Sequence, residues 1–170
     1  MLKPVGMLFI FLSMSFFGFH LSFSLSRRVE ALDYFVLAVE VIRGELRFLQ
    51  PSLPRLFEKL ASDPRFARPP FFALVAKGLS YRKNVREAWR EALAAQAREL
   101  CLSDADTVIL LRFAYALGGS DLAGQDSLCA FTLEELKSQR DKAAEYRRTH
   151  AKTYRILGVL SGLFVCLLLV

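Results

Sequence analysis

The sequence predicts an all-α protein, in which a cytoplasmic helical bundle of about five helices is flanked by N- and C-terminal transmembrane helices. Three observations lead to this prediction. Both ends of the 170-residue chain are apolar and almost free of charge. Between them, apolar residues recur every three or four positions, which is the period of an α-helix. No stretch alternates apolar and polar residues as a half-buried β-strand does.

The N-terminal apolar segment predicts a transmembrane helix over residues 4–26. Val5–Ser26 contains no Asp, Glu, Lys or Arg, and about 20 apolar residues suffice to cross a bilayer. A cleaved signal peptide is the alternative interpretation. It is less favoured, because the apolar stretch exceeds a signal-peptide core and because Arg27 and Arg28 after it outweigh Lys3 before it.

The C-terminal apolar segment predicts a second transmembrane helix over residues 154–170. Ile156–Val170 is uncharged but short, so Tyr154 and Arg155 are expected to lie in the membrane interface. Basic residues concentrate between the two segments, and the positive-inside rule therefore places residues 27–153 in the cytoplasm and both termini outside. The basic residues nearest the segments are Arg27, Arg28, Arg147, Arg148, Lys152 and Arg155.

The same charges make up most of the net charge of +6. Because they flank the apolar segments, they favour membrane lipids with anionic headgroups as partners, and not nucleic acid. The expected localisation is accordingly a cell membrane that the chain crosses twice.

Helix boundaries in the central part can be placed from capping residues. The first helix is expected to continue from the apolar segment and to end near Gln50–Pro51, because the residue before a proline disfavours the helical conformation. Glu87 and Asp106 each follow a candidate N-cap by three positions, which is the spacing of a capping box. The expected N-caps are Ser52, Asn84 and Ser103.

The stretch LGGSDLAGQ, Leu117–Gln125, predicts a corner between two helices. A phosphate-binding loop is excluded, because Gln125 and Asp126 stand where a Lys and a Ser or Thr are required and because no strand precedes the loop. The glycines are suited to end one helix, and the next polar residues to cap the following one. Gln125 could then pair with Asp121 one turn earlier. The residues assigned to this helix corner are Gly118, Gly119, Ser120, Asp121 and Gln125.

No catalytic, cofactor-binding or metal site is predicted. The two histidines, His20 and His150, are isolated in or beside the apolar segments, and no nucleophile or acidic pair accompanies either of them. The cysteines Cys101, Cys129 and Cys166 lack the spacing of metal ligands. The chain is therefore predicted not to be an enzyme.

Three further residues are candidates for packing or partner contact. Trp89, the single tryptophan, is suited either to anchor the core or to contact a partner. Gly158 and Gly162 form a G-x-x-x-G pattern, which allows close approach of membrane helices. Their partner could be the first apolar segment, another copy of the chain or another membrane protein.

Several stretches together resemble the stage III sporulation protein AB family of endospore-forming bacteria. They include SLPRLFEKLA (Ser52–Ala61), VREAWREAL (Val85–Leu93), LGGSDLAGQ as the family pattern L-G-x-x-D-x-x-x-Q, and the C-terminal YRILGVLSGLFVCLLLV. The family also tends to carry two glutamates before the proline turn. Here Arg43 occupies the first of these positions and only Glu45 matches the second, so Glu45 is the remaining candidate for a partner contact there.

The resemblance implies a non-enzymatic platform, or scaffold, subunit of the secretion-like channel complex between mother cell and forespore. It implies a helical domain similar to the F domain of the type II secretion system. Its implied partners are other membrane subunits of the channel and a secretion-type ATPase on the cytoplasmic side, and a homo-oligomer is compatible with it. The implied location is the mother-cell membrane facing the forespore.

Two alternatives stay open at this point. One is a membrane-anchored helical adaptor or regulator unrelated to sporulation. The other is a membrane enzyme that uses His20 or the Gly-Gly-Ser-Asp corner.

Overall fold

The computed structural model describes residues 2–81, 84–119 and 122–169 of the chain. The described elements are α1 (Leu2–Phe48), α2 (Leu53–Ser62), a 3-10 helix (Pro64–Phe66), α3 (Phe71–Ser80), α4 (Val85–Leu100), α5 (Asp104–Ala116) and α6 (Leu122–Leu169). The all-α class predicted from the sequence is confirmed.

The prediction of transmembrane helices over residues 4–26 and 154–170 is wrong. These segments are helical as parts of α1 and α6, but across the residues described no helix has a stretch long and apolar enough to cross a membrane. His20, Ser22 and Ser24 interrupt the first apolar segment, and the second is shorter than the about 20 residues that a span needs. The structure therefore does not support the two-pass topology with both termini outside.

The helices divide into two compact units. The first unit is made of the chain up to Val29 and from Asp141 onward, and the second of Glu30–Arg140. Helices α2 to α5 belong to the second unit, whereas α1 and α6 contribute to both.

Local sequence signals set several helix boundaries in the second unit. The backbone N–H of Glu87 donates to the Asn84 side chain at 2.9 Å and thereby caps α4. A reciprocal capping box begins α5, in which the Asp106 N–H donates to Ser103 Oγ at 3.3 Å and the Ser103 N–H donates to Asp106 Oδ2 at 2.9 Å. Ser52 occupies the N-cap position of α2, but its side chain makes no capping hydrogen bond. Two of the three predicted caps therefore act through their side chains.

The core of the second unit is an aromatic cluster formed by Trp89, Phe57, Phe71, Phe72 and Phe113, all fully buried. The four phenylalanine ring centroids lie 5.0–5.9 Å from that of Trp89, in edge-to-face arrangements that aromatic pairs prefer. The rings come from α2, α3, α4 and α5. The cluster thus joins the four shorter helices.

The indole N–H of Trp89 has no hydrogen-bond acceptor in the part of the chain that the structure describes. Burying a donor without an acceptor costs stability, and here the ring packing must outweigh that cost. Trp89 itself is 0% exposed, so its contacts in the folded protein are with the core.

Replacing Trp89 tests this balance. We expect Trp89→Ala to lower the free energy of unfolding by about 3–5 kcal/mol, because it leaves a cavity at the centre of the cluster. Trp89→Phe should cost clearly less than Trp89→Ala, since it keeps a ring, leaves a smaller cavity and removes the donor that lacks an acceptor. Urea unfolding followed by circular dichroism measures both variants. Equal losses for the two would contradict this account of the core.

Candidate interaction site

The predicted corner after α5 is built around a glycine in the left-handed backbone region. Gly118 has a φ of +81°, which side chains other than glycine rarely adopt. A Cβ added there would lie 2.8 Å from Cδ1 of Leu53 on α2. Glycine is therefore favoured at Gly118 by its backbone conformation, whereas the Leu53 side chain could turn away from an added Cβ. Ser120 and Asp121 lie outside the described residues, and Gly119 continues the turn with its N–H donating to Ala116 O at 3.1 Å.

Gln125 lies in the first turns of α6 and is only 8% exposed. It lines a cavity of about 260 Å³ between the end of α1 and the beginning of α6, which we call the α1–α6 corner. The residues that define this corner are Arg43, Leu46 and Arg47 of α1 and Ala123, Gln125, Asp126 and Cys129 of α6. The pairing predicted between Gln125 and Asp121 falls outside the described residues.

A bidentate ion pair joins the two helices at this corner. Arg43 Nε donates to Asp126 Oδ1 at 2.7 Å, and Arg43 Nη2 donates to Asp126 Oδ2 at 2.9 Å. These hydrogen bonds are the main cause that lowers the pKa of Asp126 below its ordinary value of 3.8, with a smaller contribution from the positive charge of Arg47. The same bonds raise the pKa of Arg43. Both side chains are therefore charged at neutral pH.

Glu45, the predicted partner contact, is engaged within the chain. Lys59 of α2 donates from Nζ to both carboxylate oxygens of Glu45, at 2.7 and 2.9 Å. The Glu45 side chain is only 17% exposed, whereas that of Lys59 is 61% exposed. A partner that approaches Glu45 would therefore meet an ion pair and not a free carboxylate. A partner role of Glu45 stays a prediction.

Cys129 lies in the wall of the same corner as a buried thiol. Burial raises its pKa to about 11. Because the thiolate is the nucleophilic form of cysteine, Cys129 is poorly suited to nucleophilic chemistry at neutral pH. Its position is that of a small apolar residue in the cavity wall.

Gly158 and Gly162 lie on α6 in the first unit, and both are buried. A Cβ placed on Gly18 of α1 would lie 2.8 Å from Cα of Gly158 and 2.7 Å from the backbone oxygen of Tyr154. The two helices therefore approach closely enough for backbone atoms to be in contact. The packing role assigned to the G-x-x-x-G pair stays a prediction.

Each of the two histidines lies near an aromatic ring of its own helix, and His20 is exposed. The ring of His150 stacks on Tyr146 of the preceding turn with centroids 4.0 Å apart, and its Nδ1 lies 3.1 Å from the Tyr146 carbonyl oxygen. The ring of His20 lies 6.4 Å from that of Phe16. Over the described ranges, no group of three His, Cys, Asp or Glu side chains is placed to hold a metal ion.

The sequence did not predict the Arg43–Asp126 ion pair or the close approach of α1 and α6 at Gly18. Arg43 and Asp126 are separated by 83 positions, so no local pattern links them. Gly18 stands among phenylalanines without a second glycine at helical spacing, so nothing distinguishes it from the rest of the apolar segment. The only available signal was that a lone glycine inside a helix weakens it and so often has a packing reason.

Three comparisons with known proteins point to the same family. The sequence model of the family described as "Stage III sporulation protein AB (spore_III_AB)" matches residues 3–170. Stage III sporulation protein AB of Bacillus subtilis (strain 168) is 24% identical over 173 residues, covering 99% of this chain and 99% of the relative. A solved structure of stage III sporulation protein AB (SpoIIIAB) is similar with a TM-score of 0.64 at 18% identity, covering 72% of this chain and 98% of that chain. At that identity, the last similarity concerns the fold.

Substitution of two glycines on α1 tests the close approach in the first unit. Gly18→Ala should destabilise the first unit by about 1–3 kcal/mol, because the new methyl group would meet backbone atoms that cannot rotate away. Gly44→Ala is the matched control, since nothing lies within 4 Å of a Cβ there and alanine improves helix propensity by up to about 1 kcal/mol. Amide hydrogen exchange along α1 and α6 measures both effects. Similar exchange in the two variants would argue against the contact.

The ion pair at the α1–α6 corner predicts a pH dependence. Because the folded-state pKa of Asp126 is lowered from 3.8, its stabilising contribution is complete above that pH and is lost as the pH falls through the lower folded value. A double-mutant cycle with Arg43→Gln and Asp126→Asn should therefore show a coupling at pH 7 that diminishes progressively below pH 3.8. Urea midpoints of the four proteins supply the measurement. A coupling that is unchanged at low pH would be inconsistent with this ion pair.

Proposed function

Because this chain belongs to the stage III sporulation protein AB family, and so has a role in sporulation, we propose that it acts there as a non-enzymatic scaffold subunit. It would serve the secretion-like channel complex between mother cell and forespore. Its partners would be other subunits of that complex and a secretion-type ATPase on the mother-cell side. The observation that carries this proposal is the family match over residues 3–170.

The surface of the second unit supports a docking role. Several large apolar side chains are exposed there, including Phe48 (80%), Leu49 (65%), Tyr81 (70%), Val108 (59%) and Phe131 (53%). Aromatic and apolar side chains within a polar surround are typical of protein interfaces. A scaffold uses such surfaces to hold partners, and it needs no poised nucleophile or base.

The first unit offers a different chemistry. Arg147, Arg148 and Lys152 of α6 line an open depression together with Ser26 and Asp141. Basic clusters of this kind attract anionic lipid headgroups when a membrane surface is near. The scaffold would also contact anionic lipid headgroups and associate with further copies of itself.

Gene deletion and complementation test the proposed function. Deleting the gene in its source bacterium should abolish the formation of heat-resistant spores, and the wild-type allele should restore it. The alleles His20→Ala and His150→Ala should restore it equally, because a scaffold requires no catalytic histidine. Unimpaired sporulation after deletion would contradict the proposal. Failure of either histidine allele at normal protein level would favour a catalytic role.

A further inference from the structure

We propose that the α1–α6 corner receives an acidic side chain from a protein partner, with Arg47 as the residue that pairs with the incoming carboxylate. This inference rests on the proposed scaffold function and names the chemistry by which one partner would dock. The partner segment would carry a Glu or Asp next to an apolar residue.

The cavity at this corner has the composition of a side-chain receptor. Its volume of about 260 Å³ leaves room for one side chain. Leu46 and Cys129 supply an apolar wall, and the amide of Gln125 supplies a polar one. Binding pockets commonly combine an apolar lining with a few polar groups that fix the orientation of the ligand.

The charges around the cavity leave one cation available. Arg43 and Asp126 satisfy each other through two hydrogen bonds of 2.7 and 2.9 Å. Arg47 lines the same cavity, and within the described part of the chain it forms no ion pair. Its guanidinium lies 5.9 Å from the centroid of the Phe48 ring instead. Two arginines and one aspartate therefore give the cavity wall a net positive charge.

Lys59, the cation that binds Glu45 on α1, is already occupied. Lys59 is held by both carboxylate oxygens of Glu45, so a partner carboxylate meets less competition at Arg47 than at Lys59. A guanidinium can also bind a carboxylate through two parallel hydrogen bonds, which a lysine cannot. Charge and geometry thus both select Arg47.

Apolar residues beside Arg47 complete the surface. Phe48 and Leu49 follow it directly and are 80% and 65% exposed. Interfaces are enriched in arginine and aromatic residues that act together at their centre. A partner segment could thus place its acidic side chain against Arg47 and its neighbouring apolar side chain against Phe48 and Leu49.

Peptide titration of the full-length chain tests the receptor directly. The probe is acetyl-Leu-Glu-Phe-amide, and its matched control is acetyl-Leu-Gln-Phe-amide. In ¹⁵N-detected NMR, the Glu peptide should shift the Arg47 Nε and Gln125 side-chain signals saturably. The Gln peptide should bind about tenfold more weakly, because it lacks the charge-assisted hydrogen bonds.

Two variants separate the site from general surface charge. Arg47→Gln should lose the saturable shifts, whereas Arg55→Gln, which removes an exposed arginine of α2, should retain them. Equal binding of the two peptides would overturn the proposal. So would binding of inorganic phosphate without binding of the Glu peptide, or shifts that survive Arg47→Gln.

Sporulation assays distinguish this inference from the function on which it rests. Arg47→Gln should reduce heat-resistant spores relative to wild type at equal protein level, and Arg47→Lys should recover part of the loss. If deletion abolishes sporulation but Arg47→Gln does not affect it, the receptor proposal fails and the scaffold function stands. If deletion itself has no effect, the scaffold function fails, and with it the assignment of the receptor to a sporulation partner.

Discussion

Burial of the aromatic cluster around Trp89 is the interaction on which the second unit depends. Helices α2 and α3 have only 10 residues each, and isolated helices of that length are marginal in water. Each contributes rings to the cluster, and Phe35 connects α1 to it through a 5.0 Å edge-to-face contact with Phe71. Packing against Trp89 therefore stabilises helices that their own hydrogen bonds would not maintain.

The ion pairs between α1 and α6 have a different role. Besides the Arg43–Asp126 pair, Lys137 of α6 donates to Glu40 of α1 at 2.8 Å, and both of these side chains are nearly half exposed. Exposed pairs add little to stability because water and salt screen them. Their main effect is on the charge of the surface, because each pair neutralises one positive and one negative side chain. The charges that remain, such as that of Arg47, are those that a partner can bind.

The parts of the fold that could be predicted from the sequence are those that depend on near neighbours. The caps at Asn84 and Ser103 were found because each bonds to a residue three positions away. The Arg43–Asp126 pair could not be found, since only the folded chain brings these residues together. The prediction of two transmembrane helices is wrong, because no helix among the described residues has a stretch long and apolar enough to cross a membrane. Family resemblance supplied the role in sporulation, which no residue pattern indicates by itself.

The completely buried Trp89 has a practical consequence. It is the only tryptophan of the chain, so intrinsic fluorescence excited at the indole band comes from one known place in the core. Its emission reports whether water has entered the aromatic cluster, and it is insensitive to events confined to the surface. Trp89 fluorescence therefore shows whether the core of a variant is intact. A variant that loses partner binding but keeps the emission of the wild type is still folded.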